Sequence, residues 1–327
     1  MNKIKWGILG SGNISSKFAT ALNSLEDAEI VGVAARDMKR AEEFCEQYHG
    51  KNAYDNYEEL AKNPDIQVIY IGTLHPYHYE HAKLCIEHGK AVLCEKPFTL
   101  NEKTSKDLMD LAKKQKVFLM EAMWTKFMPT TKKVKEWITN GKIGNVKYIK
   151  GAFGFQREYD ETGRLFQLEK GGGALLDLGI YPITYAIYML GKLPKKIQSS
   201  VIIGRGKTDE VNTLLMKFED GAFANLMSAS TVALGKDVEI IGDKGKILVP
   251  NFWSATSAIL MDIDDNEIER FEELYQTNGY EYEAMEVMEC IRQGKLESDV
   301  VPHKDTLDIM KIMDSLRNEW GILYPGE

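Results

Sequence analysis

The chain has 327 residues, of which 44% are hydrophobic and 28% charged, and a formal net charge of −8. That length exceeds one ordinary core and predicts two domains of globular composition. The acidic balance, with no basic cluster, argues against nucleic acid as the main partner, and the apolar runs read as too short to span a membrane.

In chain order, strands are predicted at 4–9, 29–35, 68–72, 91–94 and 117–120, and helices at 15–25, 38–48, 57–62, 78–88 and 101–114. Continuous apolar strands alternating with amphipathic helices imply a doubly wound parallel sheet, a Rossmann domain over residues 1–122. After about Gly144 helical segments thin out, and strands are predicted at 147–155, 196–203, 212–218, 223–230, 237–241, 259–263 and 267–271. Turns such as Glu219-Asp220-Gly221 join them. They predict an α+β domain over 123–327 with a largely antiparallel open sheet, helices on one face, and a final helix near 305–320 that can pack on either domain. A helix-free sheet face would be an exposed apolar patch, which predicts a homodimer through it. The opening MNKIKWGILGSG reads as a strand rather than a signal peptide. The four cysteines, Cys45, Cys85, Cys94 and Cys290, form no CxxC pair, so a reducing, cytoplasmic setting is expected.

Gly10-Ser11-Gly12-Asn13-Ile14-Ser15 joins the first strand to the first helix and reads GxGxxS. Gly10 permits the tight turn, and Gly12 lets a pyrophosphate approach amides at a helix N-terminus, with Asn13 and Ile14 beside it. A nicotinamide dinucleotide is the expected ligand. Where NAD sites place a carboxylate the second strand has Ala35, followed by Arg36, with Arg40 one turn on. A guanidinium pairs with the 2′-phosphate of NADP and stacks on adenine, so NADP is expected. NAD is the alternative if Asp37 is the ribose ligand; the plainer assignment makes Asp37 a helix cap and Arg36 an exposed side chain.

Glu95-Lys96-Pro97 after a strand, the Gly12 loop, and the run Gly171-Gly172-Gly173-Ala174-Leu175-Leu176-Asp177-Leu178-Gly179-Ile180-Tyr181 resemble the Gfo/Idh/MocA oxidoreductases over essentially the whole chain. Ala35–Asp37, Ala91–Pro97 and Phe118–Phe127, with the Gly171 run, are most similar to its dihydrodiol and D-xylose dehydrogenase branch. Many members carry histidine where this chain has Tyr181; tyrosine there is what that branch shows. The resemblance implies a homodimer and a pocket lined by Trp124, Phe153 and Trp253.

Hydride transfer from an alcohol needs a nicotinamide, a base for the hydroxyl proton, and a cation for the alkoxide. Lys96 follows the carboxyl end of a parallel strand, where ligands bind in open α/β sheets, and Glu95 adjoins it at the cofactor. Asp177 and Tyr181 share one face if their segment is helical. An ammonium nearby brings a phenol toward a useful pKa. Thr73, His75 and His78 follow another strand and are expected at the nicotinamide ribose. His75, His78 and His81 have no accompanying cysteine or carboxylate pair at ligand spacing, so no metal is expected. The reading is an NADP-dependent dehydrogenase for a cyclic polyol, either an aldose such as D-xylose or a trans-dihydrodiol, with Lys96, Asp177 and Tyr181 catalytic. The alternatives are an NAD-dependent sugar or inositol dehydrogenase, and a non-catalytic dinucleotide sensor that binds a protein.

Overall fold

In a computed structural model that describes residues 2–327, the N-terminal pattern folds as six strands. They are β1 (Ile4–Leu9), β2 (Ala28–Ala34), β3 (Asn52–Tyr54), β4 (Val68–Ile71), β5 (Ala91–Glu95) and β6 (Leu119–Ala122). All pair in parallel in the order β3-β2-β1-β4-β5-β6. That order places the topological switch between β1 and β4, the crevice where open α/β sheets take dinucleotides. The connecting helices are α1 (Asn13–Asn23), α2 (Met38–Tyr48), α3 (Tyr57–Lys62), α4 (His78–Glu87) and α5 (Glu102–Gln115). Strands β4 and β5 are buried at every position, as a sheet covered on both faces requires.

Next come α6 (Pro129–Thr139), β7 (Val146–Gly154) and α7 (Ile180–Leu190). The strands β8 (Lys196–Ile203), β9 (Asp209–Lys217), β10 (Phe223–Ala229), β11 (Val238–Gly242), β12 (Lys246–Val249), β13 (Ser257–Met261) and β14 (Glu267–Glu272) follow. With β7 they form an eight-stranded sheet ordered β14-β13-β12-β11-β7-β10-β9-β8. Within this sheet the described pairs are antiparallel except β7–β10, which is parallel. One face, with Ile149, Gly151, Leu214, Ala224 and Leu226, is buried, and α7 lies against β7 and β10. On the other face Phe223 pairs with Tyr148, Tyr148 with Ile241, and Leu248 with Ile259, all half-buried.

The chain ends with α8 (Glu281–Arg292) and α9 (His303–Trp320). Its compact units are not a continuous 1–122 and 123–327. The first comprises Met1–Trp124 and Tyr275–Met310, the second Thr125–Leu274 and Lys311–Glu327. The return of 275–310 has a local cause. Asn278 donates to the Lys17 carbonyl at 2.9 Å, Arg292 pairs with Asp27 at 2.6 Å, and α8 buries Ala284, Val287 and Met288 beside α1.

One expectation about apolar runs is corrected. Leu168–Leu190, with mean hydropathy 1.3, is long and apolar enough to cross a membrane by length and composition alone. Its window is 78% buried, because it includes the core helix of the second unit.

Candidate active site

In the first unit, β1 runs into Gly10, whose φ of +101° favours glycine. A Cβ there would come within 3.1 Å of Thr73 and 3.2 Å of the Gly72 carbonyl. Gly12 begins α1 with no side-chain cap, so the first amides, from Asn13 and Ile14 onward, have no side chain closing them off. An anion fits that geometry. Ser15 is buried, and a Cβ on Gly72 would collide with its hydroxyl, so the small third residue of the motif keeps β4 and α1 close.

Strand β2 ends at Ala34, and Ala35 is still buried; Arg36 and Asp37 are the first exposed residues. Asp37 caps α2, its carboxylate accepting from the Arg40 amide at 2.9 Å. Arg40 reaches back to the Ser11 carbonyl at 3.5 Å. Burial pushes the Tyr57 phenol up, while Arg36 and Arg40 pull it down. Two cations and a phenol thus share one electrostatic neighbourhood beside the Gly10–Gly12 loop, and they suit an added phosphate. Sequence reasoning missed Tyr57, because its neighbourhood is made by the β2–β3 pairing rather than by spacing.

The segment after β4 holds Thr73 and His75, and His78 opens α4. The ring of buried His78 faces the Pro97 carbonyl at 2.9 Å and the Thr73 carbonyl at 3.1 Å. Burial holds its pKa below the ordinary histidine range despite those carbonyls. His75 is also buried. His81 turns to Thr73 at 3.0 Å, and burial pushes it down to about 4. Among the described residues no group of three His, Cys, Asp or Glu is arranged to hold a metal ion.

Strand β5 delivers Glu95 and Lys96, and the Lys96-Pro97 peptide is cis. The Glu95 side chain is buried, accepting from Tyr70 at 2.7 Å and from the Lys96 amide at 3.2 Å. Burial raises its carboxyl to about 7, against the opposing pull of Lys96 and Tyr70. Its side chain therefore braces Lys96 from inside the unit. Buried Glu283, on α8, has no hydrogen-bond partner for either oxygen. Burial, and then the Glu95 charge, push its carboxyl well above the usual carboxylate range. Trp124 is buried in the same unit, stacked on Tyr280 at 4.3 Å.

In the second unit, Asp177 sits in a π turn, Leu175–Gly179, that leads into α7. The segment is helical but not uniformly α: the carboxylate leaves from the π turn and the phenol from the first turn of α7. Arg164 grips Asp177 with two hydrogen bonds, 3.2 and 3.0 Å. Sequence reasoning missed Arg164, which opens a short 3-10 turn, Arg164–Phe166, without a motif. Tyr181 is 6% exposed, with Phe153 edge-on at 5.4 Å and Trp253 at 6.5 Å. Phe153 and Trp253 lie 5.3 Å apart. Three predicted site residues, on β7, on α7 and in the turn after β12, thus form one aromatic cluster.

The oxidoreductase family model for an NAD-binding Rossmann fold, GFO_IDH_MocA, matches residues 4–123, and the GFO/IDH/MocA C-terminal domain model matches 131–248. Trans-1,2-dihydrobenzene-1,2-diol dehydrogenase of Xenopus laevis is 35% identical over 333 residues, covering 98% of this chain and 99% of that one. The Homo sapiens protein of the same name is 33% identical, covering 99% of each. Among solved structures, aldose-aldose oxidoreductase from Caulobacter crescentus, complexed with glycerol, has a TM-score of 0.89 at 20% identity, covering 98% of each chain. KijD10, a 3-ketoreductase from Actinomadura kijaniata in complex with NADP and TDP-benzene, has a TM-score of 0.86 at 23% identity, covering 97% of this chain and 98% of that one. The sheet order, the Gly10–Gly12 loop and both family models agree: this chain belongs to the GFO/IDH/MocA oxidoreductases.

Proposed function

We propose that the protein is an NADP-dependent dehydrogenase acting on a cyclic polyol, either an aldose such as D-xylose or a trans-dihydrodiol. The observation that carries this is the Tyr181 phenol, set one turn after Asp177 and walled by Phe153 and Trp253. Such a site offers a proton acceptor beside flat apolar surface, which suits a ring bearing adjacent hydroxyls. The curated relatives named for a dihydrodiol support the same substrate class.

The Gly12 helix start and the Arg36–Arg40 pair fit a dinucleotide with a 2′-phosphate. Once bound, the nicotinamide supplies the hydride chemistry. Arg36 and Arg40 hold the added phosphate, while Thr73, His75 and His78 order the loop proposed to meet the ribose. Tyr181 takes the hydroxyl proton when the alcohol carbon is oxidised to a carbonyl. Lys96 is the second proton-handling group, an ammonium of the kind that favours an alkoxide. Asp177, steadied by Arg164, orients the substrate hydroxyls, Phe153 and Trp253 offer their apolar faces to the ring, and Trp124 is a further substrate-binding residue of the first unit.

The outer apolar ladder of the eight-stranded sheet, with Phe223, Tyr148, Ile241, Leu248 and Ile259, supports a homodimer through that face. The four cysteines are buried and unpaired, which supports a reducing, cytoplasmic setting.

The test measures nicotinamide absorbance across aldoses, inositols and dihydrodiols with each cofactor, for the unmodified protein and Tyr181→Phe. The variant keeps the ring and loses the proton acceptor, so turnover falls by about 10²–10⁴ while NADP affinity holds. Near-normal turnover in folded Tyr181→Phe, with chemistry rate-limiting, refutes the role of Tyr181.

A further inference from the structure

Behind the Asp177–Tyr181 segment lies a buried polar chain that the proposed chemistry does not use. Asp209, at the start of β9, is 1% exposed. Its Oδ2 accepts from the Leu175 amide at 2.7 Å and from the Asn212 side chain at 2.9 Å. Asn212 in turn accepts from the Ser228 hydroxyl, on β10, at 2.9 Å. Both ends of the π turn rest on this chain. At the front, Gly173 has φ +127°, and a Cβ there would collide with Asp209 Oδ1. At the back, a Cβ on Gly179 would stand 2.9 Å from the Ser228 hydroxyl. From the C-terminal segment, Tyr324 donates to the Gly172 carbonyl at 2.7 Å and closes the same loop.

We propose that Asp209 is a positioning residue for this site: as a hydrogen-bond acceptor beneath the π turn, it fixes the rotation that relates the Asp177 carboxylate to the Tyr181 phenol. This rests on the reading of Asp177 and Tyr181 as site residues. A π turn holds one residue more than an α turn. Relaxation to α-helix would turn everything on its N-terminal side by about 100°, one residue's share of a 3.6-residue turn. The Leu175 amide is where that relaxation is blocked. Its bond goes to Asp209, and the glycines on either side leave no side chain in the way of the close approach.

Asp209 acts as an acceptor rather than as a fixed charge. Burial pushes its carboxyl up to about 7, against the pull of the Leu175 amide and Asn212. Either protonation state keeps Oδ2 as an acceptor. Oδ1 makes no hydrogen bond, which leaves it the place for a proton. Asparagine can therefore replace aspartate here, and alanine cannot.

The test compares Asp209→Ala with Asp209→Asn by three measurements: NADP affinity, kcat and KM on the best polyol of the panel, and hydrogen exchange followed by mass spectrometry. Asp209→Ala is expected to lower kcat by about tenfold or more, because small misplacements at a reacting centre are costly. NADP affinity stays within about twofold, since its proposed ligands belong to the other unit. Exchange quickens about tenfold or more at residues 173–183 and not in β11 or β12, and Asp209→Asn stays within about threefold of the unmodified protein throughout. A merely structural Asp209 predicts lower stability with kcat per folded molecule unchanged, and that result, or unaltered exchange at 173–183, overturns the proposal. If Asp209→Ala does not fold, Asn212→Ala takes its place, with kcat about three- to tenfold lower and the same exchange signature expected; unchanged kcat again overturns it. If the unmodified protein turns over no polyol, the proposed function fails on its own, and the exchange result alone decides whether Asp209 holds the turn.

Discussion

Replacing Asp37 with alanine removes one acceptor from the start of α2. The carboxylate accepts from the Arg40 amide at 2.9 Å, and the Ala41 amide keeps its backbone bond to the Asp37 carbonyl at 3.3 Å. Loss of such a cap costs about 0.5–2 kcal/mol, a figure that includes the interaction of the carboxylate with the helix dipole at an exposed site. Unfolding free energy should therefore fall by about 1 kcal/mol, and Asp37→Ser should recover most of it. If the cap is the whole role, NAD affinity stays within about twofold in both variants. NADP affinity should rise by less than about fivefold, because a surface carboxylate repels a phosphate by under about 1 kcal/mol in water-like surroundings. Urea unfolding without cofactor gives the first quantity, and titration calorimetry with each dinucleotide gives the second. A tenfold loss of NAD binding in both Ala and Ser variants, with unchanged stability, would refute the reasoning. It would make Asp37 the ribose ligand and NAD the cofactor.

Arg36→Ala should weaken NADP by about ten- to a hundredfold, from the 1.5–3 kcal/mol of a charge-assisted bond, and leave NAD alone; an equal loss for both cofactors would show that Arg36 does not read the phosphate. Arg164→Met removes both bonds to Asp177, and since the Arg164 side chain is 35% exposed, the stability cost is discounted to about 1 kcal/mol. KM for the polyol should rise, and unchanged KM and kcat would show that Asp177 needs no partner. For pH dependence, Asp209 titrates near 7 folded against 3.8 unfolded, so rising pH ionises the unfolded chain first and the folded state loses stability between those values. The stability of Asp209→Asn relative to the unmodified protein should therefore climb from about pH 4 to about pH 7, then level, by on the order of 4 kcal/mol. A flat difference across that range, measured by urea unfolding, would refute it.

The Rossmann half was legible because its signals are local. Apolar runs such as Val68–Ile71 and the Gly10–Gly12 turn state their own conformation, and Lys96 follows from the end of β5. The edge strand Asn52–Tyr54 escaped because three residues show no period, and its pairing with β2 supplies what its sequence lacks. Helix α8 escaped despite Ala284, Val287, Met288 and Ile291 at helical spacing, a pattern that would have revealed it. Its return to the first unit is non-local and has no sequence signature. At the site, Phe153, Tyr181 and Trp253 were named in advance and do meet. The π turn was not legible, because its extra residue is held by Asp209, more than thirty positions away. Arg164 was hidden for the same reason: a partner in a short 3-10 turn is chosen by the folded chain, not by spacing.

The split of the first unit has a consequence during synthesis. Between Trp124 and Tyr275 the ribosome must make all of Thr125–Leu274, 150 residues (274 − 124), before the first unit can close. At ~5–20 residues per second that is roughly 8–30 s in which β1 to β6 are complete but α8 is missing. For that interval the nascent chain shows the side of α1 that α8 later covers, a sticky surface of the kind chaperones hold. A fragment ending at Trp124 would carry the same defect permanently, so the dinucleotide half of this enzyme should be harder to produce alone than its tidy sheet suggests.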